Sequence, residues 1–315
     1  MIISEKIQKL LANQGIGSRR AIESWISSGL VEVDGKKAHI GQRIDEQSRV
    51  SVNGRKIHLK SSLSTDILVL NKRVGSVSTR KDEKGRPTIF KGLPKAPHGR
   101  WINVGRLDIN TSGLMLLTNN GELANRMMHP SSSVDKEYAV RVNGKVSDED
   151  LGLLRKGLLI NGDLVSFSDI QFFDGSGRNN WYHVVLMDGK NHEVRNLFEV
   201  AGLVVSRLKR VRFGPVLLPA SLKVGMYSSL SDEDSRNLCS LFGLTYSASP
   251  DKLRSRMNTS KKSIRTSRSS LQLLMKSSMI MPISCLDSGM RVIGFSGPNR
   301  SFNPAFIPKP CSNIS

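Results

Sequence analysis

Between residues 105 and 113 the chain reads Gly105-Arg106-Leu107-Asp108-Ile109-Asn110-Thr111-Ser112-Gly113, a single carboxylate in a turn with glycine at both ends. Trp101-Ile102-Asn103-Val104 before it and Leu114 to Leu117 after it read as strands, so the turn joins two of them. Glycines there let a backbone approach a ligand closely. Asp108, Asn110, Ser112 and Gly113 also fit the opening of a calcium-binding EF-hand loop. The closing glutamate of such a loop would fall at Asn119, and the flanks are not helical, which argues against calcium. On the residues alone, an Asx turn in which Asp108 and Asn110 cap the loop's own amides stays open beside a catalytic reading.

Outward from this turn the pattern mixes strands and helices. Ile67-Leu68-Val69-Leu70-Asn71-Lys72 reads as a buried strand, and Glu137 to Val142 alternates as a strand does. Gly121 to His129 predicts a short helix, and Val194, Leu197, Phe198 and Ala201 share one helical face. Lys81 to Gly99, rich in charge, proline and glycine, reads as a mobile basic loop. Without regular βαβ spacing, the pattern predicts an α+β fold with a central, mainly antiparallel sheet over 61–244.

The first 60 residues predict a small domain of their own. Ile7, Leu10 and Leu11 recur at helical spacing until Gly15 and Gly17 end the helix. Ser18 is placed to cap a second helix whose inner face is Ile22, Trp25 and Ile26. Short alternating stretches then surround Asp34-Gly35 and Asn53-Gly54, both hairpin-type turns. Arg19 and Arg20 stand at the start of the second helix, where positive charge opposes the helix dipole unless an anion lies nearby.

Charge narrows the class of partner. The 315 residues carry 47 Lys+Arg against 27 Asp+Glu, a net charge of +20, which calls for a polyanion. No apolar run approaches the roughly 20 residues of a membrane span, and the start lacks a secretory h-region. Cys239, Cys285 and Cys311 are odd in number and far apart, which suits a reducing compartment better than disulfides or a cysteine-bound zinc. From residue 245 to 315 the chain is basic and rich in serine, with two acidic residues and no persistent period. A segment of that composition is expected to be a disordered tail.

Several of these stretches carry a resemblance. Residues 1–60 resemble the S4 RNA-binding domain (αL-type): Lys9-Leu10-Leu11-Ala12, Gly15-Ile16-Gly17-Ser18-Arg19-Arg20, Ile26, Gly29, Val31 and Gly35 fall where its pattern puts them. Gly105-Arg106-Leu107-Asp108 resembles motif II of the pseudouridine synthases, in the RsuA/RluB-type branch. In the expected order follow Lys136-Glu137-Tyr138, Asp188-Gly189-Lys190-Asn191-His192-Glu193-Val194-Arg195-Asn196-Leu197, and the run from Arg207 to Gly214. Together these span about residues 3–240. His192 stands where that motif commonly has arginine, which reads as a surface-type change. Trp101 to Pro130 is more similar to the large-subunit enzymes than to the small-subunit ones.

The resemblance implies isomerisation of a uridine of ribosomal RNA, 23S rather than 16S, in a bacterial cytoplasm, by a monomer without metal or cofactor. Asp108 would be the catalytic residue, kept ionised and aimed by Arg195. Tyr138 would stack on the uracil, Leu197 would line the pocket, and Arg106 would fill the gap left by the flipped base. Phosphates would be held by Lys72, Arg73, Arg80, Lys81 and Lys84 in the catalytic domain, and by Lys9, Arg19 and Arg20 in the first. Two readings compete. One is a non-catalytic S4-type protein of ribosome assembly, against which the intact Asp108, Tyr138 and Arg195 stand. The other is a nucleoside hydrolase or glycosylase, which would release free base where an isomerase releases nothing.

Overall fold

The computed structural model describes residues 4–59, 63–187 and 192–248. The expected tail, from residue 249 on, lies outside the described residues, as do residues 188–191 of the third motif.

The first segment forms α1 (Ile7–Asn13) and α2 (Arg19–Ser27). Ser18 caps α2, its hydroxyl accepting from the Ala21 amide at 3.0 Å, and Ile22 and Ile26 turn inward. Strands β1 (Val31–Val33), β2 (Lys36–Lys37), β3 (Val50–Val52) and β4 (Arg55–Ile57) make an antiparallel sheet in the order β2-β1-β3-β4. Asp34-Gly35 and Asn53-Gly54 all have positive φ, as the turns between these strands require. Helices and sheet share a core built on Ile7, Leu11, Ile22 and Val31, each fully buried.

The larger body is one sheet of nine strands. Its main path uses β5 (Ile67–Lys72), β6 (Ser112–Thr118), β7 (Lys136–Asn143), β8 (Asp169–Ser176), β9 (Asn179–Leu186), β10 (Val204–Phe213) and β11 (Tyr227–Ser229). They lie in the order β8-β9-β7-β10-β6-β5-β11, with Ile102–Asn103 added to β6 and Val216–Leu217 to β10. Every pairing is antiparallel except β10 with β6, where Lys209 stands opposite Ser112 and Arg210 opposite Gly113. The fold is therefore α+β with a mainly antiparallel sheet, as the sequence pattern predicts.

Both faces of the central strands are covered, which is why β5 is buried at all six positions. Side chains alternate across a strand. Ile67, Val69, Leu114 and Leu116 pack under α3 (Gly121–Met128) and α6 (Asp232–Leu241). Leu68, Leu70, Met115 and Leu117 face the other way and join Tyr138, Tyr182 and Phe167. Against that second core lie α4 (Asp148–Lys156) and α5 (Glu193–Val200), through Leu154 and through Leu197 and Phe198.

One expectation needs amendment. The stretch 81–99 has no strand of its own, but it is anchored: Ile89 is buried, and the Trp101 indole donates to the Pro94 carbonyl at 2.7 Å. The first segment abuts the larger body. Lys9 on α1 pairs with Glu122 on α3 at 2.9 Å. A Cβ at Gly15 (φ +84°) would fall 2.6 Å from the Gly99 Cα, so only glycine permits that approach.

The folded body also runs past the expected boundary at residue 244. The Tyr246 hydroxyl donates to Asp232 Oδ1 at 2.7 Å, and the Thr65 amide donates to the Ser247 carbonyl at 2.8 Å. Tyr246 packs against the core under α6. A chain ending at 244 loses these contacts, worth about 2 kcal/mol together. Its thermal midpoint is expected to fall about 4–8 °C below that of a chain ending at 248. Equal midpoints would show that Tyr246 and Ser247 contribute nothing to the fold.

Candidate active site

The turn from 105 to 113 is held by its backbone. Lys72, at the end of β5, is 1% exposed, and its ammonium donates to the carbonyls of Asp108 (2.9 Å), Thr111 (2.8 Å) and Arg73 (3.1 Å). Ser78 donates its hydroxyl to the Leu107 carbonyl at 2.9 Å, and the Gly75 amide donates to the Ile109 carbonyl at 2.8 Å. The turn closes on itself through the Thr111 amide and the Asp108 carbonyl at 3.1 Å. Gly113 (φ +101°) completes it, because a Cβ there would lie 2.2 Å from the Arg210 carbonyl oxygen across the parallel joint. A main chain fixed at so many points leaves the Asp108 carboxylate free to face outward, 37% exposed.

Among the described residues His192 meets that carboxylate, Nδ1 to Oδ2 at 3.4 Å. His192 precedes α5 with φ +60°, and this left-handed turn brings its ring to Asp108. His192 is exposed, as a surface-type change would be, but that reading did not foresee its contact with Asp108. The only signal in the chain was its place in the same motif as Arg195. Arg195 does come to the turn, but by another route: it donates to the Asn110 carbonyl at 3.2 Å and to the Val205 carbonyl at 3.0 Å. The expected pairing of Arg195 with the Asp108 carboxylate is therefore replaced, among the described residues, by a clamp on the backbone beside it.

Behind the turn, Tyr138 on β7 is 8% exposed and stands opposite Arg210 of β10. Arg210 is itself buried; it donates to the Leu114 carbonyl at 2.8 Å and hydrogen-bonds Tyr138. Burial pushes its guanidinium below the ordinary range, partly opposed by Tyr138. Leu197 is fully buried in the same core as Tyr138 and Leu107. Arg106 is exposed at the lip of the turn.

The expected phosphate ligands divide. Arg19, Arg20, Arg73, Lys81 and Lys84 are exposed. Three others are occupied otherwise. Lys72 is buried under the turn, and burial pulls its ammonium from 10.5 down to about 8, with Asp108 opposing and Arg210 adding to the fall. Lys9 is taken up by Glu5 at 3.0 Å and Glu122 at 2.9 Å. Arg80 donates to the Trp101 carbonyl and lies over the Phe90 ring, 4.4 Å from its centroid. Among the described residues no helix is long and apolar enough to cross a membrane.

Comparison with known proteins bears on the family and the fold. Residues 66–200 match the family model described as RNA pseudouridylate synthase, and residues 5–50 match that of the S4 domain. The ribosomal large subunit pseudouridine synthase B of Pseudomonas aeruginosa is 50% identical over 251 residues, which cover 79% of this chain and 65% of that relative. The proteins of the same name from Haemophilus influenzae and Buchnera aphidicola are 48% and 42% identical, over 68% and 99% of their lengths and 76% and 77% of this chain. The chain thus spans just under two thirds of the Pseudomonas relative. A crystal structure of a pseudouridylate synthase superposes with a TM-score of 0.52 at 24% identity, covering 74% of this chain and 99% of its own, which is a likeness of fold.

Proposed function

Because this chain belongs to the RNA pseudouridylate synthase family, we propose that it converts a uridine of large-subunit ribosomal RNA into pseudouridine, with Asp108 as the catalytic carboxylate. The observation that carries the reading is a carboxylate turned outward from a backbone clamped on every side, in the turn that bears the family's motif. In the reaction the C1′–N1 bond breaks, the uracil turns, C5 bonds to C1′, and the proton lost from C5 is balanced by one gained at N1. No atoms or electrons are exchanged with another molecule, so the reading asks for no cofactor. Asp108 acts on C1′ as nucleophile, base or electrostatic support for the positive charge that develops there. Tyr138, 8% exposed, is the ring against which the base would turn, the fully buried Leu197 backs it from the core, and Arg106, exposed at the lip of the turn, would fill the gap left by the flipped nucleotide.

Arg195 reaches the Asp108 turn, and Tyr138 and Leu197 share the core behind it, which supports a reading in which one copy is the working unit. Ribosomal RNA places that work in the cytoplasm. The test is to map pseudouridine in the ribosomal RNA of cells with and without the gene. One large-subunit position is expected to revert to uridine; an unchanged map, or a change confined to 16S rRNA, would refute the assignment.

His192 tunes this site. A polar contact as exposed as His192–Asp108 is worth at most about 1 kcal/mol. His192→Ala is therefore expected to lower single-turnover rate by no more than about fivefold, with RNA affinity unchanged. A loss near that of an Asp108 substitution would make His192 part of the chemistry.

A further inference from the structure

The two faces of the sheet are not equally covered. The apolar residues packed beneath α3 and α6 come from β5, β6 and the end of β10, while none comes from β7, β8 or β9. On that half of the sheet the same face is bare. Arg141 of β7 lies between Trp181 of β9 and Arg207 of β10; in the next row Ala139 lies between His183 and Lys209. Phe173 of β8, 61% exposed, sets its ring 4.9 Å from that of His183. None of these seven residues is buried.

Its charges are mostly unspent. Arg141 hydrogen-bonds Ser206 at 2.9 Å and holds its guanidinium 6.0 Å from the centre of the Trp181 ring. Arg207 and Lys209 make no ion pair among the described residues. Of the acids on this face, Glu137 is neutralised by Arg212 at 2.9 Å and also hydrogen-bonds His183 at 2.6 Å. Asp174 stands opposite Trp181 at the sheet edge.

Aromatic rings lying on a sheet among unpaired cations suit single-stranded RNA, whose bases stack on rings while its phosphates meet guanidinium and ammonium groups. We propose that this face binds the strand of substrate RNA that leads away from the target uridine, with a base stacked at Trp181 or Phe173 and phosphates on Arg207 and Lys209. The occupant follows from charge and from proximity: Lys209 pairs with Ser112, inside the turn that carries Asp108, so the face adjoins that turn, on the side of the sheet away from Tyr138 and Leu197. From β6 to β8 the path crosses four strand spacings, about 19 Å, room for a few nucleotides. The inference rests on the reading that the chain acts on RNA.

The test uses the full chain and two RNAs, the target hairpin with its flanking strands and the same hairpin trimmed of them. Arg207→Glu with Lys209→Glu is expected to weaken binding of the long RNA about tenfold and to reduce its salt slope by about 1.4, two lost contacts at about 0.7 each. Binding and turnover of the trimmed RNA should not change. The milder pair Arg207→Gln and Lys209→Gln should show the same pattern, more weakly, if the reversed charges impair folding. In the unaltered chain, a photoreactive uridine in the flank should crosslink within 171–183. Equal losses on both RNAs, or none on either, would overturn the proposal. So would unchanged RNA binding with loss of a protein partner from ribosomal particles. If neither RNA is isomerised by the unaltered chain but binding still depends on Arg207 and Lys209, the surface stands and the isomerase reading is what fails.

Discussion

Asp108→Asn is expected to abolish isomerisation while RNA binding persists. The substitution keeps the size and planarity of the side chain and removes its charge. The clamp beneath it should survive, because Lys72 holds the Asp108 carbonyl and not the carboxylate. An amide can neither attack C1′ nor support positive charge there, and loss of a residue at the reacting centre costs about 10⁴-fold or more. Single-turnover yield of pseudouridine on an rRNA fragment measures the loss, and filter binding measures the affinity. Turnover within tenfold of the unaltered chain would remove Asp108 from the chemistry. Asp108→Glu separates charge from placement. It restores the carboxylate but moves it by about 1 Å, which should still cost about 10²-fold.

What the sequence made legible is what depends on neighbours in the chain. The Ser18 cap, the hairpin turns and the apolar faces of α2 and α5 follow from spacing over a few residues, and all are present. The turn around Asp108 was legible as well, since its glycines and carboxylate are consecutive. The parallel joint of β6 and β10 was not. It brings together residues nearly a hundred positions apart, and only the close approach of Gly113 to Arg210 records it. Cations were the least legible. Lys72, Lys9 and Arg80 all read as phosphate ligands, because composition cannot distinguish a lysine that faces solvent from one that ends a fully buried strand. For Lys72 the preceding run Ile67 to Leu70 was the available hint, since a strand apolar on both faces has no wet side on which its last residue can emerge.

Lys72→Met is expected to lower kcat about 10²-fold with little change in KM or in stability. An ammonium has three donors, and Lys72 spends them on three carbonyls, two of them within the turn that carries Asp108. Methionine fills similar space but holds none of them, so the turn relaxes, and a shift of about 1 Å is enough for a loss of that size. Stability should move by less than about 2 kcal/mol because two effects oppose. The carbonyls lose their donor, but burial of a cation, which lowers its pKa from 10.5 to about 8 and costs roughly 3 kcal/mol at neutral pH, is relieved. The same balance gives the unaltered protein a pH signature. Below about 8 Lys72 is charged and all three carbonyls are served. As pH rises through 8 the amine keeps two hydrogens for three acceptors, so activity should fall. Between 8 and 10.5 the folded chain has shed this proton while the unfolded chain still binds it, so the contribution of Lys72 to stability rises over that window. Activity and this part of the stability thus move in opposite directions, which general alkaline unfolding cannot mimic. The measurements are kcat against pH from 7 to 9.5, and thermal midpoints of the unaltered and Lys72→Met chains over the same range. The midpoint difference should shift in favour of the unaltered chain as pH rises. A flat kcat profile, or a variant that melts early yet turns over normally, would make Lys72 a merely structural residue.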